Sequence, residues 1–180
     1  MKTFILLAVN LAIYSICSAD VLYSNSTIGV EIEKSDELVS IGSKAFDRGA
    51  EAIRFYHDHN RFFVTAFLHR PKAKMADALT KKIAEIGVDQ HRKNYPDLKL
   101  INESKVQTKF KEITIMGYSI HAEYTGSKMK LCDISEVYPI KNYYYMTVVL
   151  TTAADVCMES PDELRKSLNT LYKSMSFSSI

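Results

Sequence analysis

The side chains of this sequence whose types and spacing suit chemistry fall into a few groups. His57, Asp58 and His59 set two imidazoles beside a carboxylate, and imidazoles two apart on a strand share a face, as metal ligands must. Two ligands fall short of the three or four that a specific zinc site needs. Neither a His-Glu-x-x-His pattern nor a Cys-x-x-Cys pair accompanies them. The segment reads as the polar turn of a hairpin, and no metal is expected. Ser127 and Lys130 have the Ser-x-x-Lys spacing by which some acylases let lysine activate serine on a helix. Here the pair follows Gly126 and enters a strand pattern, and the companion motifs are missing. The Gly-x-Ser-x-Gly elbow and the phosphate-binding glycine patterns are missing as well. Asp162 with Glu163, and Asp36 with Glu37, are paired carboxylates, but the first pair is explained by a helix start. His69, His91 and His121 are isolated in sequence and read as surface or satisfied histidines. No catalytic residue and no cofactor follow from these groups.

The cysteines depend on compartment. Met1 and Lys2 precede an uncharged run from Thr3 to Ile16, and Cys17, Ser18 and Ala19 put small residues at the cleavage positions, the pattern of a secretory signal peptide cut after Ala19. The apolar run is shorter than the roughly 20 residues of a membrane span, and Ile16 before Cys17 argues against lipidation. Residues 1–19 are therefore expected to leave, and residues 20–180 to form one domain large enough for a proper core. Cys17 leaves with the signal, so Cys132 and Cys157 remain, a candidate disulfide in an exported chain. Its loop of about 26 residues would stabilise the fold by roughly 3.5 kcal/mol in the chain-entropy model. Buried free thiols and a nucleophilic cysteine are the rival readings.

The formal net charge of the whole chain is +2, and Lys2 leaves with the signal, so there is no charge argument for nucleic acid. Tyr143, Tyr144 and Tyr145, with Tyr118 and Tyr124 on another strand, form a candidate recognition surface, since a tyrosine-rich sheet face can bind a partner. Packing beneath the helices is the alternative. Asn25-Ser26-Thr27 and Asn102-Glu103-Ser104 match the N-glycosylation acceptor pattern, relevant only to secretion through an endoplasmic reticulum.

These residues must be positioned by strands and two main helices. Tyr143 to Thr152 is aromatic or β-branched without Gly or Pro, the composition of a central strand covered on both faces. Ser160, Pro161 and Glu163 predict a helix start with a capping hydroxyl, a proline at the first position and a Glu reaching back. Leu164, Leu168, Leu171 and Met175 give that helix one apolar stripe. Val21 to Tyr23 and Ile28 to Ile32 read as early strands, residues 33–52 as irregular, and "AIRFYHD" with "RFFVTAFLH" as a hairpin. After Pro71, the stripe Met75, Leu79, Ile83 and Ile86 predicts an amphipathic helix that continues past Gly87 until Pro96 stops it. The rest is β-rich, and the change of apolar parity between Ile115 and Tyr118 predicts a β-bulge at Gly117. Consecutive strands suggest a meander. The sum is an α+β domain, an antiparallel sheet covered by two main helices.

The order of elements, ending in "LNTLYKSMSF", resembles the PsbP-like α/β/α sandwich proteins, including the bacterial DcrB-like periplasmic proteins. The resemblance spans roughly Tyr23 to Phe177 and rests on element order rather than a catalytic signature. It implies a noncatalytic accessory or binding protein and supplies no site residues. The expectation is thus a secreted or periplasmic monomer that recognises a protein or envelope component, such as an immunity or inhibitor protein for a secreted toxin. Two alternatives stand beside it: a secreted hydrolase whose histidines meet only in space, and a carrier holding a small apolar ligand between sheet and helices.

Overall fold

Nine residues free of Gly and Pro, Tyr145–Ala153, form the middle strand of this computed structural model, which describes residues 21–26, 29–34, 38–46, 50–57, 62–69, 79–126, 128–140 and 144–177. In chain order the elements are β1 (Val21–Asn25), β2 (Val30–Glu33), β3 (Leu38–Phe46), β4 (Ala50–His57), β5 (Phe62–His69), α1 (Leu79–Asn94), β6 (Lys99–Lys109), β7 (Thr114–Thr125), β8 (Lys130–Pro139), β9 (Tyr145–Ala153), α2 (Ala154–Glu159), α3 (Pro161–Ser174) and β10 (Met175–Phe177). A seven-stranded sheet runs β3-β4-β5-β9-β8-β7-β6, antiparallel at every pairing. It consists of two meanders, β3 to β5 and β6 to β9, joined where β5 pairs with β9. A small antiparallel sheet, β1-β2-β10, closes one side. The proposed signal segment, the turn at Asp58, His59 and Asn60, and Pro71 lie outside the described residues.

The two faces of the large sheet are covered differently, giving the expected α/β/α sandwich. On one face Val64, Ala66, Leu68, Met146, Val148 and Leu150 pack against Leu164, Leu168, Leu171 and Tyr172 of α3 and against Val30 and Ile32 of the small sheet. Each fully buried leucine of the α3 stripe contributes about 1.5–3 kcal/mol by removal from water. On the other face Ile120, Ala122, Tyr124, Val137 and Tyr145 meet Ala84 and Val88 of α1. As expected, α1 runs through Gly87 to Asn94.

The first face is also pinned by a buried carboxylate. Glu136 of β8 is fully buried and accepts hydrogen bonds from Tyr138, Tyr172 and Arg165, each at 2.5 Å. Thr108 of β6 shares a 2.7 Å bond with the Tyr138 hydroxyl. Burial first, and then the Glu136 charge, push the Tyr138 and Tyr172 phenols far above their ordinary range, so both stay protonated donors.

Several sequence expectations are corrected. Residues 38–46, read as irregular, form β3, and Gly42 sits at a register shift against β4 where an extra residue is accommodated. β7 shows no register shift at Gly117; the irregularity of this hairpin lies in β6 between Leu100 and Asn102. The apolar parity of β7 changes because the covered face changes along the strand: Ile115 belongs to the α3 side and Tyr118, Ile120, Ala122 and Tyr124 to the α1 side. Gly117 is required for space instead, since a Cβ there would lie 2.6 Å from the Tyr138 ring and 2.7 Å from the Val137 carbonyl oxygen. The Ser160 side chain makes no capping bond, because Ser160 also ends α2 and its backbone (φ −135°, ψ 48°) is not the extended geometry of a cap. Of the anticipated α1 stripe, Ile83 is half-buried against the sheet and Ile86 is 45% exposed, whereas Thr80, Ala84 and Val88 are the buried residues of this helix face; Met75 and the side chain of Leu79 lie outside the described residues.

The two glycines predict opposite outcomes in urea denaturation. Gly117→Ala should destabilise the fold by about 1–3 kcal/mol through overpacking against Tyr138. Gly87→Ala, whose Cβ meets nothing within 4 Å, should stabilise it by up to about 1 kcal/mol through helix propensity. A neutral Gly117→Ala would remove the packing explanation for this glycine.

Candidate functional site

The short residues that α1 turns inward leave volume beneath it. Ala84 and Gly87 on the helix stand over Ala122 of β7, Ser135 of β8 and Thr147 and Thr151 of β9, and none of these side chains is long enough to fill the gap between helix and sheet. The result is a cavity of about 540 Å³, lined chiefly by apolar groups that include Phe67, Ile83, Val88, Ile120 and Val149. That volume lies within the range of small-molecule sites, which combine apolar walls with a few polar groups. It also explains why Thr147, Val149 and Thr151 are only half-buried although β9 is the middle strand.

One end of the cavity is polar. Asp133 of β8 is 3% exposed; its Oδ1 accepts from the Thr151 hydroxyl at 2.7 Å and the Tyr124 hydroxyl at 3.2 Å. Its Oδ2 faces His91 Nδ1 at 3.3 Å, with His91 supplied by the last turn of α1. The His91, Tyr95 and Tyr124 rings are mutually in contact, with centroids 4.5–4.8 Å apart. Desolvation raises the Asp133 pKa above the ordinary 3.8, partly opposed by the Thr151 bond, the His91 charge and the Tyr124 bond. The Tyr124 phenol is pushed far upward, by burial first and by Asp133 second, so it donates and does not ionise.

A second cluster occupies the opposite face. Cys132 of β8 and Cys157 of α2 form a disulfide with Cα atoms 6.4 Å apart, and His121 of β7 places its Nε2 2.9 Å from the Cys132 sulfur. Burial lowers the His121 pKa below 6.5, against a weaker upward effect of Glu123, which favours the neutral imidazole.

The remaining sequence candidates are dispersed. Tyr118, Tyr124 and Tyr145 are 7%, 6% and 2% exposed and pack in the α1 layer, so they present no tyrosine surface to a partner; their rings are needed as core area on that face. Tyr144 is half-buried against the α3-side core, and Tyr143 lies outside the described residues. His91 and His121 are on opposite faces of the sheet. His59 and the side chains of His57 and His69 lie outside the described residues, as do Ser127, Asp36 and Glu37. Lys130, Asp162 and Glu163 are exposed, and so is Asn102, whereas Asn25 is half-buried and donates to the Tyr23 hydroxyl. The pairing of His91 with Asp133 across distant segments escaped sequence reasoning, though the small residues Ala84 and Gly87 within an amphipathic helix were a readable sign of space beneath it.

No family model matches this sequence, and no curated protein sequence does. Among solved structures the chain is similar to cyanobacterial PsbP (CyanoP) from Synechocystis sp. PCC 6803, with TM-score 0.61 and 16% identity over 91% of this chain and 96% of that one. It is also similar to PA94 of Pseudomonas aeruginosa, a protein of unknown function (TM-score 0.48, 10% identity, 84% and 94% covered). A third is LpqN, involved in cell envelope biogenesis of Mycobacterium tuberculosis (TM-score 0.45, 6% identity, 83% of each chain). The chain has a PsbP-like fold, as its element order led us to expect. No helix among the described residues is long and apolar enough to cross a membrane.

The buried carboxylate gives a pH signature. Because Asp133 holds its proton more tightly in the folded protein than in the unfolded chain, its contribution favours folding at low pH and is lost as pH rises from 3.8 through the raised value. Asp133→Asn should remove that slope. Its stability relative to wild type should therefore improve with rising pH across this window in urea denaturation, and parallel curves would contradict the assignment.

Proposed function

We propose that this chain is an exported, noncatalytic accessory protein that binds a small, mainly apolar component of the cell envelope in the cavity beneath α1. The observation that carries this reading is the apolar cavity of about 540 Å³ with one buried polar end at Asp133, His91, Tyr124 and Thr151. An elongated ligand with a polar head would bury its apolar part against Phe67, Ile120 and Val149 and hydrogen-bond at that end. The hydrolase alternative has less support. Tyr124 and Thr151 direct their hydroxyls to the Asp133 carboxylate, and His91 turns its Nδ1 to the same carboxylate, so these groups are engaged with one another. Export is supported by the signal-like residues 1–19 and by the Cys132–Cys157 disulfide.

Nile red, an apolar dye whose emission strengthens and shifts to the blue in apolar sites, tests the binding reading. Saturable binding of one dye per chain is expected. Gly87→Leu and Ala122→Phe, which fill the cavity, should weaken it by about tenfold or more, at least 1.4 kcal/mol. Absence of saturable binding, or unchanged affinity in both folded variants, would overturn the cavity as the site.

Export has its own readout. Intact mass spectrometry of protein from its native secretion fraction should give a chain starting at Asp20 and lacking two hydrogens, which return on reduction. A retained leader, or cysteines alkylated without reduction, would refute it.

A further inference from the structure

His121, Cys132 and Cys157 lie on the face opposite the cavity and take no part in the function proposed above. Their donor atoms, one imidazole nitrogen and two sulfurs, all lie within 4.8 Å of one another. A tetrahedral zinc centre with Zn–S near 2.3 Å and Zn–N near 2.0–2.1 Å sets its ligand atoms about 3.5–3.8 Å apart, so the three donors are gathered within reach of one ion once the sulfurs are no longer bonded to each other. Two ligands are fixed by the sheet: His121 pairs with Ile134 and Cys132 with Glu123 in the β7/β8 register, which puts them diagonally across neighbouring strands on one face. The third, Cys157, sits on α2, a helix of only six residues after β9. Separating the sulfurs to the spacing of metal ligands needs a shift of that short element and leaves the sheet in place.

We infer that reduction of the Cys132–Cys157 disulfide converts this cluster into a binding site for a thiophilic divalent cation of the Zn²⁺ type, ligated by the two thiolates and the His121 imidazole. The reductant is a dithiol, as a thiol–disulfide oxidoreductase of the exported compartment would supply. Two electrons and two protons pass to the protein sulfurs as the dithiol becomes a disulfide. Binding then replaces the two thiol protons by the cation, with release of two protons. A neutral imidazole is the ligating form, and His121 already turns its Nε2 toward the sulfurs. Glu123, directly across from Cys132, sets a carboxylate charge beside the cation. His121 is half-buried while both sulfurs are buried, so the open side of the imidazole is the entry path and the place where water completes four-coordination. The disulfide and the metal site are thus alternative states of the same residues, and oxidation would expel the ion.

Cobalt(II) is the spectroscopic probe. The full exported chain, reduced with a phosphine under anaerobic conditions, should bind one Co²⁺ per molecule. Thiolate charge-transfer absorption in the near ultraviolet and intense tetrahedral bands in the red should appear, and Zn²⁺ should bleach both. The oxidised protein should give neither, and His121→Ala should weaken binding by about tenfold or more. The inference is overturned if the reduced, folded protein shows no charge-transfer band, or if His121→Ala keeps the wild-type affinity and spectrum. Should reduction abolish the near-ultraviolet circular dichroism of the fold, the readout is its recovery on adding Zn²⁺. Recovery in wild type but not in His121→Ala supports the site, and no recovery in wild type overturns it.

Discussion

The buried Glu136 carboxylate is the constraint on which the rest of the structure depends. Burying a carboxyl group away from water is costly unless good hydrogen-bond partners are held in place for it. Three converge on it at 2.5 Å, from Tyr138 of its own strand and from Arg165 and Tyr172 of α3. This arrangement dictates where α3 crosses the sheet and which turn of the helix faces β8. It also requires room for the Tyr138 ring, which the missing side chain of Gly117 provides. From α3 the chain passes directly into β10, which pairs with β2 and brings the small sheet over the same core. Phe110, Tyr138, Tyr172 and Phe177 then stack edge to face in one aromatic cluster.

Because period-two alternation sends neighbouring side chains to opposite faces, β8 serves both sides of the molecule. Cys132, Glu136 and Tyr138 point to the α2 and α3 side, where they cross-link and anchor; Asp133 and Val137 point to the α1 side, where the cavity lies. One face is thus closely packed, with β9 residues such as Met146, Val148 and Leu150 fully buried. The other is under-filled, because α1 turns Thr80, Ala84 and Val88 toward the sheet. A closely packed face and an under-filled face thus share one sheet: the first fixes the strand positions, and the second leaves a space whose polar end is already built.

Much of the scaffold was legible in the residues. The β9 run, the Leu164, Leu168 and Leu171 stripe and the continuation of α1 past Gly87 follow from local composition and spacing. β3 was not legible, since its glycine suppresses a strand pattern that pairing with β4 restores. Nor was the burial of Thr80, Ala84 and Val88 on α1, because the larger Ile83 and Ile86 drew the stripe and the packing buries the smaller residues more deeply. Gly117 was misread for a related reason. A change of apolar parity has two causes, an inserted residue or a change in which face is covered, and only the neighbouring layers distinguish them.

The sequence by itself determined the α+β composition, most of the strands, the positions of the two main helices and the pair of cysteines that come together. These are local or combinatorial properties, set by propensity, periodicity and count. Tertiary structure alone decided that His91 meets Asp133, that His121 approaches Cys132, that Glu136 is buried with three donors, and that Tyr118, Tyr124 and Tyr145 lie inward. Each of these joins residues from separate elements, and their distance depends on strand register and on the face of the helix turned to the sheet. Those are fixed by the packing of the whole molecule, and no short stretch of the chain encodes them.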